Sequence, residues 1–121
     1  PYQYFGMLNQ EMHRALRLVL DVGLHTKGWT REQAIQYSND HEASPEQATI
    51  AEVERYIGMP GQALSYKIGQ LKISELRAKA EQELGAKFNI AEFHDLILSQ
   101  GCLPLQVLED KVNRWIADKK K

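Results

Sequence analysis

Cysteine occurs once in the 121 residues, at Cys102. No internal disulfide can hold the chain, and a single thiol leaves the compartment undecided. Positive charge is not in surplus either: the formal net charge is -1, and the one basic run is Lys119-Lys120-Lys121 at the end. A nucleic-acid binder shows a basic stripe, so that class is set aside. The longest apolar-rich stretch, Ala15 to Leu24, is interrupted by Arg17 and Asp21, so neither a membrane span nor a signal peptide is read. β-branched residues are sparse and nothing alternates over strand length, which argues against sheet. There is no His-Glu-x-x-His, no cysteine pair and no glycine-rich phosphate loop, so the chain shows no metal site of its own. Repeats and low-complexity linkers are absent too, and one helical domain or subdomain over residues 1–121 is expected.

What is present is apolar content of 43 %, enough to fill a core, with helix punctuation throughout. The first helix is expected from about Met7 to His25, with Gly28 as its stop. Thr30-Arg31-Glu32-Gln33 reads as a capping box opening a second helix. Ser44-Pro45-Glu46-Gln47 adds proline at the first helical position to the same pattern and opens a third, which Met59-Pro60-Gly61 breaks. A fourth runs from about Gly61 to Leu84 on Leu64, Ile68, Leu71 and Leu76, and stops at Gly85. Asn89-Ile90-Ala91-Glu92 opens a fifth as another box. Pro104 starts a sixth, with Leu105, Leu108, Val112 and Trp115-Ile116 as its apolar stripe. The fold class is therefore all-α, about six helices in an irregular bundle. Pro1, with no initiator methionine before it, suggests a cut inside something longer, which leaves localisation open between cytoplasm and periplasm or beyond.

The first helix carries the most informative chemistry. At about 100° per residue, Arg14, Asp21 and His25 fall within roughly 20° of one line, with Gln10 and Arg17 beside it. One reading is an amphipathic helix whose polar face meets water. The other is a cleft lining in which Asp21 orients or charge-stabilises His25 one turn later. Composition favours the second: interchangeable Lys/Glu pairs are missing, and the stripe ends in a histidine where the helix dipole attracts positive charge.

A second place of interest is Pro60-Gly61-Gln62-Ala63-Leu64-Ser65-Tyr66-Lys67-Ile68-Gly69, with Gln62, Tyr66 and Gly69-Gln70 along one face. Gly69 inside a helix costs about 1 kcal/mol against alanine, which suggests close approach of another backbone. Tyr66 is either a core tyrosine with a satisfied hydroxyl or a donor to an oxyanion. His13, His41 and His94 have no partner at metal-ligand spacing. Cys102 lacks a local base and reads as structural, and Trp29 and Trp115 read as packing residues.

Three blocks together resemble a known family. The first is Glu11-Met12-x-Arg14-Ala15-x-Arg17-Leu18-Val19-x-Asp21-x-Gly23-Leu24-His25, continuing through Gly28-Trp29-Thr30-Arg31-Glu32-Gln33-Ala34. The second is Arg55-Tyr56 followed by Pro60-Gly61-Gln62-Ala63-Leu64-x-Tyr66-Lys67-Ile68-Gly69. The third is Phe93-His94 with Leu98-x-x-Gly101-x-Leu103-Pro104-Leu105-x-Val107-Leu108. In that order they resemble the C-terminal portion of the bacterial family called domain of unknown function 885.

The resemblance implies a larger helical fold of the gluzincin type of zinc metallopeptidase. Its His-Glu-x-x-His helix and a further glutamate ligand would lie upstream, where zinc activates a water and polarises the scissile carbonyl. By that analogy His25 and Tyr66 are transition-state stabilisers, Arg14 and Gln62 hold a substrate carboxylate or backbone, and Asp21 orients His25 or Arg14. Zinc is then expected in the full-length parent and not in this chain, which alone would be inactive. The implied partners are the N-terminal remainder of the same protein and a peptide substrate. A cut enzyme would also expose apolar surface through which two copies could dimerise. The rival reading is a non-catalytic helical module that meets a partner helix or peptide.

Overall fold

The computed structural model describes Pro1–Lys121 and is all-α, with six helices and no strand. They are α1 (Tyr2–Thr26), α2 (Arg31–His41), α3 (Glu46–Gly58), α4 (Ser65–Leu84), α5 (Ile90–Leu98) and α6 (Leu105–Lys120), with short 3-10 turns at Gln62–Leu64 and Gly85–Lys87. Contacts group the chain into two units, Pro1–Ile68 and Gly69–Lys121.

In the first unit α1, α2, α3 and the 3-10 turn enclose a core of Leu16, Leu20, Ala34, Val53, Tyr56 and Ala63, with Trp29 and Tyr37 packed against it. α1 begins at Tyr2, five residues before the expected start, and carries Gly6 within it. It ends as anticipated: Gly28 takes the left-handed φ of 68° that a side chain would resist. The chain then doubles back, so that the Trp29 N–H reaches the Gly23 carbonyl at 3.0 Å. The indole lies against Gly23 so closely that a Cβ there would stand 2.6 Å from the ring. Close approach at a helical glycine therefore occurs at Gly23. The expectation for Gly69 is not met, since a Cβ there would meet nothing within 4 Å.

Thr30 caps α2 in the full reciprocal box, accepting from the Gln33 N–H while the Gln33 side chain accepts from the Thr30 N–H. The box expected at the start of α3 does not form. Pro45, with extended ψ of 136°, occupies the cap position, and no side chain caps α3. Proline has no N–H and moves the helix start one residue beyond Ser44's reach. The fourth helix also starts later than expected, since Gln62–Leu64 winds as a 3-10 turn before Ser65.

The second unit buries Leu76, Ala80 and Leu84 of α4 at four-residue spacing, together with Phe93, Leu108, Val112 and Ile116. Of the apolar set expected to define α4, Leu76 is in this core, whereas Ile68 and Leu71 are exposed. Asn89 caps α5 by accepting from the N–H groups of Ala91 and Glu92. The Glu92 carboxylate does not complete that box, because it pairs with Lys119. Trp115 packs against the core as read, and Cys102 is exposed.

Candidate functional site

The polar residues of α1 are divided by the fold. Arg17 follows Leu16 and precedes Leu20 by three positions, so it turns inward with them and is only 4 % exposed. Its Nη2 donates to the Gln62 Oε1 at 3.1 Å. Its guanidinium carbon lies 5.6 Å from the Tyr56 ring centre and 5.2 Å from that of Tyr66, so the cation is also met by two π faces. Arg14, one turn earlier, lies 5.0 Å from the same Tyr66 ring. Tyr66 itself is 60 % exposed, so it is not a core tyrosine.

Asp21 is buried and does neither of the things expected of it. Its two carboxylate oxygens both accept from the Gly61 N–H, each at 3.1 Å. Gly61 sits at a left-handed φ of 80°, which turns its amide toward α1. Asp21 thereby ties the Met59-Pro60-Gly61 bend down and places Gln62, the next residue. No hydrogen bond joins it to His25 or Arg14, and the residue it reaches is Gly61 on the distant bend. His25 goes elsewhere: its Nε2 donates to the Tyr56 carbonyl at 3.0 Å. A carbonyl can only accept, so this bond fixes the proton on Nε2 and leaves Nδ1 as the free ring nitrogen of an exposed side chain.

Gln62 is doubly held. Its Oε1 accepts from Arg17 and also from the Arg55 Nη1 at 2.8 Å. Arg55 in turn grips Glu52 through two bonds, 3.1 and 2.7 Å, while the Tyr56 hydroxyl donates to Glu52 at 2.8 Å. The Arg55 bonds, joined by that of Tyr56, hold the Glu52 carboxyl down at about 2. Burial, reinforced by the neighbouring Glu52 charge, pushes the Tyr56 phenol well above its ordinary value.

His13, read from spacing as a histidine without partners, is brought beside Glu42, 29 residues on. Its Nδ1 lies 2.9 and 3.0 Å from the two Glu42 oxygens, and its Nε2 is 4.0 Å from Glu52. An open groove of about 360 Å³ runs past Gln10, His13, Arg14, Arg17, Glu42 and Glu52. Beneath it, α1 and α3 border a cavity of about 60 Å³ whose wall includes Arg17 and Thr49. The Arg17 Nε and Thr49 Oγ1 are buried without hydrogen-bond partners.

Of the five residues singled out from the sequence, Arg14, Gln62 and Tyr66 belong to one cluster built around Arg17. Asp21 supports that cluster from behind, and His25 is held separately on the Tyr56 carbonyl. Arg17, Arg55, Glu52 and Tyr56 were not singled out as site residues. Glu52 followed by Arg55 and Tyr56, at i+3 and i+4, is a pairing helical spacing does announce. Arg17 was marked by its position inside an apolar run. Nothing local joins His13 to Glu42. No three His, Cys, Asp or Glu side chains are grouped so as to hold a metal ion.

Comparison with known proteins adds two findings. The model of a family described as "Bacterial protein of unknown function (DUF885)" matches residues 1–112. The chain is similar to the solved structure of a "putative lipoprotein" from Colwellia psychrerythraea, with 50 % identity and a TM-score of 0.95. That match covers 98 % of this chain and 20 % of the other, so the chain spans about a fifth of that relative's length. No curated protein matches.

Proposed function

From the premise that this chain belongs to that bacterial family, we propose that it forms the helical, non-metal-binding wall of a peptidase-like hydrolase site. The rest of that site would come from other parts of a longer protein. The observation that supports this best is at Tyr66. Its side chain is exposed while two guanidinium groups lie on its ring, at 5.0 and 5.2 Å. A phenol backed by two cations is suited to donate toward an oxygen that gains negative charge. His25 offers a second donor, since its free Nδ1 donates when the ring is an imidazolium. The span of one fifth of the relative and the exposed apolar residues Tyr2, Phe5, Leu8 and Met12 along α1 support completion by further chain.

Zinc, which gluzincin-type hydrolysis needs, has no fitting ligand set among these residues. His13, Glu42 and Glu52 are spent on one another and on Arg55 and Tyr56. The residues that would hold it would belong to the remainder of the longer protein.

The test is turnover of a peptide library by that longer protein. Tyr66→Phe or His25→Ala should lower kcat by about 10²–10³ while zinc content holds, the loss typical of a removed oxyanion donor. Undiminished turnover in both variants would remove this wall from the chemistry. The exposed apolar strip of α1 also favours a second reading, a non-catalytic module that docks on a partner helix. Absence of any hydrolysis by the longer protein, with stable capture of a helical peptide on α1, would select it.

A further inference from the structure

Arg17 and Thr49 each bring a buried polar group to one cavity. Arg17 is 4 % exposed and Thr49 5 %, and both line the space of about 60 Å³ bordered by α1 and α3. The Arg17 Nε–H has no acceptor, and the Thr49 hydroxyl has no partner. A threonine inside a helix ordinarily bonds a carbonyl of the preceding turn; Thr49, in the first turn of α3, does not. Arg17 gives its Nη2 to Gln62 and its planar faces to Tyr56 and Tyr66, and none of these contacts serves Nε. Buried donors left in this way are costly, so the cavity calls for an occupant.

The rest of the wall decides which. Its charged or titratable groups are His13, Arg17, Glu42, Glu52 and Tyr56. An anion would face the carboxylates of Glu42 and Glu52, and a cation would face the Arg17 guanidinium. The occupant must therefore be neutral, accept from Arg17 and bond a hydroxyl. Its own protons need acceptors, and the wall has them. Glu42, whose side chain is 6 % exposed, meets one ring nitrogen of His13 and keeps lone pairs for more. Water meets each condition, and the cavity exceeds the roughly 10–15 Å³ that one water needs.

We infer that this cavity is a water-binding site, in which ordered water accepts from the Arg17 Nε–H, bonds the Thr49 hydroxyl and donates to the carboxylates of the wall. The water completes the partners of the guanidinium around which Gln62 and Tyr66 are gathered. The open groove shares His13, Arg17, Glu42, Ser44 and Glu52 with the cavity, so the water exchanges through it. This site concerns how the cluster is held, and it stands or falls apart from the hydrolase reading.

The test is a high-resolution crystal structure of the chain grown in sodium bromide, joined to NMR of the chain in solution. Density for water on Arg17 Nε and on Thr49 Oγ1 is expected, with a rotating-frame Overhauser cross-peak between the Arg17 Nε–H and water. Thr49→Val keeps the shape of the side chain without its hydroxyl. The fold should hold, and the cross-peak should fall by about half or more, because the water loses one of its partners. Thr49→Ser should preserve it. A bromide peak in the cavity, a cavity without ordered density, or an unchanged cross-peak in folded Thr49→Val would overturn the assignment.

Discussion

Asp21 and Gly61, 40 residues apart, are joined by a single amide proton shared between two carboxylate oxygens at 3.1 Å. The bond links the C-terminal third of α1 to the bend that carries Gln62. Asp21→Ala should leave that buried N–H without an acceptor and lower stability by about 1–3 kcal/mol. Asp21→Asn retains an acceptor oxygen and should lose less. Urea denaturation of the two variants, with the Gln62 side-chain amide signal as a local reporter, checks both the magnitude and the link. Equal losses would mean that charge, and not the acceptor, is what Gly61 needs.

Gly23 and Gly69 should respond in opposite directions to the same substitution. Gly23→Ala drives a methyl to 2.6 Å from the Trp29 ring, and overpacking of this kind costs about 1–3 kcal/mol. Gly69→Ala enters open space inside α4, where removing a glycine should stabilise by about 0.5–1 kcal/mol. Thermal unfolding followed by circular dichroism would separate the pair.

The two Ser/Thr positions at helix starts should differ as well. Thr30→Ala removes a side-chain cap and half of a reciprocal box, a loss of about 1 kcal/mol. Ser44→Ala should be close to silent, since Pro45 and not Ser44 stands at the start of α3. A Ser44→Ala loss as large as that of Thr30→Ala would show that the cap had been misplaced.

Glu52 makes stability depend on acid. Its carboxyl is held at about 2 in the folded chain against 4.5 for the free group. A depressed carboxyl contributes stability in full above its unfolded value, and the contribution is lost as pH falls through the folded one. The urea midpoint of the unaltered chain should therefore drop between pH 4.5 and about 2. Glu52→Gln should flatten that interval and shift the Tyr56 phenol back toward its ordinary value, readable by ultraviolet titration. An unchanged acid limb in Glu52→Gln would assign the drop to other carboxylates.

All-α character and the helix count were legible in the sequence because each rests on local interactions. Gly28 can turn the chain where a side chain cannot, Thr30 and Gln33 bond within one turn, and Asn89 reaches its own next amides. The stripe on α6 was legible for the same reason. Where a tertiary partner competed, local reading failed. Glu92 left its box for Lys119, and Asp21 left His25, four residues away, for Gly61.

The site divides along the same line. From sequence alone, Arg14, Gln62 and Tyr66 stood out as polar groups at helical spacing, and Glu52 with Arg55 could have joined them. Only the tertiary structure decided that Arg17 is their centre, that His13 meets Glu42, and that Gln62 is held oxygen-inward. Those contacts join residues 29 to 49 apart, and they form only once the apolar faces of α1, α2 and α3 have packed together. Helical period specifies which face of a helix a residue occupies; what that face meets depends on the packing of the others.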